Sequence, residues 1–192
     1  MSIFTTKNTV FACAAILLSS ILSEASCAQD IAQRKLADAS LSISRFFADG
    51  TITSEVLDSA YGIAVIPNVV RAGFILGARR GKGVLVTRTS NGTWSNPAFI
   101  QLTGGSIGWQ IGAESAELVI VFANEASIRN IADGRFTLTG DATAIAGPTG
   151  RRSTAAVMFK SEVYAYVKSK GLFAGASLEG TRLAMDPRTN TR

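Results

Sequence analysis

The first regular pattern in the chain is helical. In "DIAQRKLADASLSISRFFA", residues 30–48, Ala32, Leu36, Ala39, Ile43 and Phe46 recur at steps of four, three, four and three, which makes one apolar stripe. Gln33, Arg34, Asp38 and Ser42 are expected away from that stripe. Asp30 offers a start cap and Asp49-Gly50 a stop. A shorter helix is expected over Ser54–Ser59, with Ser54 as its cap. From Tyr61 the period shortens. "GIAVIP", "AGFILGA", "KGVLVTRT", "PAFIQLTGG", "AELVIVFA" and "GRFTLTG" are short apolar or alternating runs separated by Gly, Pro and Asn, as in an antiparallel sheet.

Within that series, "SNGTW" (Ser90–Trp94) holds the Asn91-Gly92 pair that favours a tight hairpin. "NEASIRNIADG" (Asn124–Gly134) predicts a short helix ended by Gly134. The later run "STAAVMFKSEVYAYVKSKG" is rich in β-prone Val, Phe and Tyr and leans towards strand. No internal repeat or linker follows residue 29. The expectation is a single α+β domain over residues 29–192. Its core is a mostly antiparallel β-sheet, sandwich or barrel-like, with an N-terminal amphipathic helix and short additional helices.

Residues 1–28 read differently. Lys7 precedes an apolar run from Val10 to Leu22, and Ser26-Cys27-Ala28 provides small residues for cleavage, the layout of an export signal. The run is short for a membrane span. A second reading makes Cys27 a lipidated N-terminus, although Glu24 occupies a position where such signals favour leucine. Under the first reading, Cys13 and Cys27 both leave with the signal, and an ordinary core must stabilise a thiol-free chain in a periplasmic or secreted setting.

Charge and composition narrow the chemistry. The formal net charge is +5, which favours anionic partners, and no basic–aromatic interleaving marks a nucleic-acid module. The 192 residues contain no histidine, which removes the commonest general base and a leading metal ligand. "GGSIG" (Gly104–Gly108) matches the G-x-S-x-G pattern around Ser106, yet a serine nucleophile of that type needs an imidazole and a strand-to-helix turn. "GARRGKG" (Gly77–Gly83) lacks phosphate-loop spacing and reads as a basic turn presenting Arg79, Arg80 and Lys82 between two strands. Glu114, Glu117, Asp133 and Asp141 are dispersed without calcium-loop spacing, and Glu179 sits in a glycine-bounded turn. No cofactor and no metal are expected.

Four glycine-rich strings then fall in a characteristic order: "AYGIAVIPNVVRAGFILGARRGKGVL", "WSNPAFIQLTGGSIGWQIGAESAELVIVF", "FTLTGDATAIAGPTGRR" and "SKGLFAGASLEG". Together they resemble the SYLF domain family over about residues 34–186. The family occurs in bacterial exported proteins and in eukaryotic membrane-traffic proteins related to a yeast actin-binding protein. The resemblance implies non-enzymatic lipid binding, with phosphoinositide membranes and actin filaments as ligands of eukaryotic relatives.

The expected partner is an anionic phospholipid membrane, with a cell-envelope protein as the alternative. Arg79, Arg80 and Lys82 are the first candidate headgroup contacts, and Lys168 and Lys170 the second. Leu172 and Phe173 are either an inserted wedge or buried core.

Overall fold

The computed structural model describes residues 29–73, 76–107, 112–138, 144–146, 162–170, 178 and 180–190. Helix α1 occupies residues 29–48 and α2 Ser54–Asp58. Four long strands follow: β1 (Gly62–Gly73), β2 (Leu76–Thr87), β3 (Ala98–Ile107) and β4 (Gly112–Phe122). Helix α3 (Glu125–Ala132) precedes β5 (Ala144–Ala146), β6 (Val163–Lys170), β7 (Thr181–Met185) and the short α4 (Pro187–Asn190). The strands form one sheet in the order β5-β6-β4-β1-β2-β3-β7. All pairings are antiparallel except β5 with β6. The α+β class and antiparallel core match expectation, and the sheet is open rather than closed into a barrel.

Each face of the sheet buries its own apolar set, as alternation along a strand requires. On one face Ile63, Val65, Val84, Val119, Val121, Tyr164 and Tyr166 pack under α1 and α2 through Ala39, Phe46, Ile52 and Val56. On the other, Ile66, Leu85, Leu102, Ile120 and Leu183 pack against Ile131 of α3 and against Phe136 and Leu138. Phe122 meets Phe136 edge-on, with ring centroids 5.5 Å apart.

Several local expectations change. The stripe of α1 is as predicted, but Ser42 is only 1% exposed and lies under the helix, where it donates to Glu117. Asp30 lies inside the helix and pairs with Arg34 at i+4 instead of capping it. The N-cap of α2 is Thr53, not Ser54, and its side chain makes no cap bond. Asn124 caps α3 through its side chain to the Ser127 amide, and Gly134 follows at φ 68°. "AGFILGA" is divided between β1 and β2. Of "GRFTLTG", Thr137 makes one isolated bridge to Arg182 and no named strand forms among the described residues.

"GARRGKG" is the main correction. It is not a hairpin tip but part of β2, paired on both sides. Its glycines answer a neighbour. Pro67 interrupts β1, and the register shifts on both flanks of it, so that Ile66 and Val69 face the same core. Proline has no amide hydrogen to give a central strand, which confines it to such a bulge. The bulge presses β1 against β2: a Cβ on Gly81 would stand 2.7 Å from Ile66 Cγ2.

Candidate functional site

Beyond the end of α1's packing, the described residues of the face that it covers are exposed. Val70 and Arg80 are cross-strand partners there, as are Asn68 and Lys82. All four are exposed, and Val70 is 41% exposed. Together with Lys35 and Asp38 of α1, this patch encloses a groove of about 590 Å³, floored by Pro67, Gly81 and Ala78. Two of the first three candidate cations, Arg80 and Lys82, therefore meet in one place.

The third does not. Alternation sends Arg79 through to the opposite face, where it is 5% exposed and donates to Thr181 Oγ1 at 3.0 Å. Burial, and then the nearby Arg71 charge, hold its pKa below the ordinary arginine value. Gly104 leaves room for its aliphatic stem, since a Cβ there would stand 3.2 Å from Arg79 Cγ. Arg79 is a structural arginine and not a surface contact.

Lys82 and Lys35 share one carboxylate, Asp186 Oδ2, at 3.0 and 3.4 Å. Lys35 also donates to Thr189 Oγ1 at 2.7 Å. Asp186 is 2% exposed and caps α4, accepting from the Arg188 amide and preceding Pro187, an arrangement favoured at helix starts. Burial alone would raise its pKa. Hydrogen bonds from Lys82 and Thr189 and the charges of Lys82 and Lys35 outweigh that, lowering it to about 2. By contrast, Arg80 and Asp38 make no ion pair among the described residues, with each other or with any other group.

The second set of cations divides as well. Lys168 closes the C-terminal end of α1: it pairs with Asp49, donates to the Arg45 carbonyl at 2.7 Å and lies 4.3 Å from the Phe46 ring centroid. Its hydrogen bond is the main reason Asp49 has a pKa lowered to about 2. Lys170 pairs through its backbone with Ser115, and its side chain lies outside the described residues. Leu172 and Phe173, as well as Glu179 and Asp141, also lie outside them.

Ser106 sits in β3 opposite Gly77, in a strand rather than at a strand-to-helix elbow. Glu117 is engaged by Ser42 and Arg45, and Asp133 by Arg135. Among the described residues no His, Cys, Asp and Glu gather in a group of three or more that would hold a metal, and no helix is long and apolar enough to cross a membrane. Sequence reasoning missed Lys35, Asp38, Val70 and Asp186. Of these only Asp186-Pro187 carries a local signal, the acidic cap followed by proline.

The chain is similar to several known proteins. Residues 103–192 match the family model described as Ysc84, Las17-binding protein actin regulator. The chain is 41% identical over 143 residues to Protein YSC84 of Saccharomyces cerevisiae, covering 72% of this chain and 30% of the yeast protein. It is 41% identical over 152 residues to SH3 domain-containing YSC84-like protein 1 of Xenopus laevis, covering 78% and 45%. The human protein of that name is 39% identical over 152 residues, covering 78% and 44%. The chain thus spans less than half the length of these relatives. On these likenesses the chain belongs to the SYLF domain family, the family of the Ysc84-type domain.

Proposed function

We propose that this chain is a non-enzymatic lipid-binding domain that associates with anionic phospholipid membranes from an exported, periplasmic or secreted, position. The observation that carries the reading is the open end of the sheet face. There Arg80 and Lys82 project from β2 beside exposed Val70, so that cations and an apolar group share one surface. Basic residues at a charged membrane each contribute about 1 kcal/mol, enough for weak, reversible attachment. Lys170, Leu172 and Phe173 remain part of the proposal as further contacts. The absence of histidine from the whole sequence and the strand position of Ser106 favour binding over catalysis.

A second reading, a protein-interaction module, is favoured by the relatives' names, which refer to actin regulation and Las17 binding. The two separate in one pelleting experiment, using vesicles of graded anionic content and actin filaments in parallel. The lipid reading expects pelleting that rises with anionic content and falls with salt. Pelleting with filaments alone would replace it with the second reading.

A further inference from the structure

The groove between α1 and the open end of β1–β2 contains an unusual pair. Arg80 and Asp38 both line it, both are exposed, and neither makes an ion pair among the described residues. They are held on different elements, one on β2 and one on α1, with the groove between them. The other cations at this wall, Lys35 and Lys82, share one carboxylate, Asp186, which leaves one positive charge over and Lys82 still exposed beside Arg80. A site for a simple anion would have no use for Asp38, which repels a phosphate. A positive and a negative group facing one cavity without closing on each other suit a ligand with its own separated charges.

We propose that this groove selects an amine-bearing phospholipid headgroup, of the ethanolamine type. Its phosphodiester lies on Arg80, with Lys82 beside it, and its primary ammonium donates to the Asp38 carboxylate. The apolar floor of Pro67 and Ala78, with Val70 at the rim, takes the glycerol and the first methylenes of the chains. Charge-assisted hydrogen bonds at both ends set the orientation, and a quaternary ammonium, which has no N–H to give Asp38, is disfavoured. The inference rests on the lipid-binding reading and specifies which headgroup enters this site.

The test uses the full chain with vesicles of constant phosphatidylglycerol content, in which phosphatidylcholine is replaced stepwise by phosphatidylethanolamine. The wild-type protein should bind the ethanolamine vesicles at least about tenfold more tightly, the low end of the contribution of one charge-assisted hydrogen bond. Asp38→Asn should lose that preference while keeping the binding due to phosphatidylglycerol, and Arg80→Gln should weaken binding to both mixtures. Because ethanolamine lipids also change bilayer packing, the comparison of wild type with Asp38→Asn is decisive. Equal binding of wild type to the two mixtures, or a preference that survives Asp38→Asn, overturns the inference. If no vesicle of any composition binds, the broader lipid reading fails. The groove is then judged by titration with soluble glycerophosphoethanolamine against glycerol 3-phosphate, where no preference for the former overturns the inference.

Discussion

A methyl group added at Gly83 would stand 2.8 Å from Ile66 Cγ1 and inside contact distance of the Val65 carbonyl oxygen. Backbone cannot yield as a side-chain tip can, so Gly83→Ala should destabilise the fold by about 1–3 kcal/mol, read as a lower urea midpoint at unchanged slope. Gly105, with open space where its Cβ would lie, should accept alanine within about 0.5 kcal/mol. Ser42→Ala removes a buried hydroxyl that donates to Glu117 at 3.1 Å and should cost about 1 kcal/mol in the same measurement. These residues also show why local reading stops short. "GARRGKG" has no apolar residue larger than alanine to mark a strand face, because one face of β2 there is open groove and the other holds buried Arg79. Ser42 is buried because a charged neighbour, Glu117, comes from a strand 75 residues away.

Helix α1 was the most legible element, since its stripe depends only on its own period and a partner surface. What fixes its ends was not legible: Lys168 from β6 at one end and Asp186 near the C-terminus at the other. Asp186 joins α1, β2 and α4, which gives the fold a defined acid response. Its folded pKa of about 2 lies below the ordinary aspartate value of about 4. A depressed carboxyl pKa stabilises the fold above the unfolded value, and that contribution disappears as pH falls from about 4 through about 2. Asp186→Asn should therefore lower stability at pH 7 by about 1–2 kcal/mol, and the gap to wild type should shrink to about 0.4 kcal/mol at pH 2. Thermal unfolding at pH 7, 4 and 2 measures it. A gap that persists unchanged at pH 2 would assign the effect to packing and capping rather than to charge.

At the scale of the molecule, the runs of β-prone residues were readable but their order was not. β1 lies between β2 and β4, and β7 returns to β3 across the chain, pairings set by shared burial rather than by any local period. The four ordered glycine strings were what revealed the family, and "GRFTLTG" shows the limit of period alone, since its segment makes only a bridge among the described residues. The open sheet decides which cations face outward. Lys168 holds α1 in place, whereas Arg80 and Lys82 stand at the uncovered end. Membrane attachment should accordingly depend on Arg80 and Lys82 and not on Lys168. The most direct test is binding of the full chain to phosphatidylglycerol vesicles over a salt series, comparing wild type, Lys168→Gln and the Arg80→Gln/Lys82→Gln double variant. Two surface cations at about 1 kcal/mol each correspond to a loss of about thirtyfold for the double variant, with Lys168→Gln near wild type and all binding weakened by salt. Wild-type protein that stays in the supernatant at low salt, or a double variant that binds as wild type does, would contradict the account.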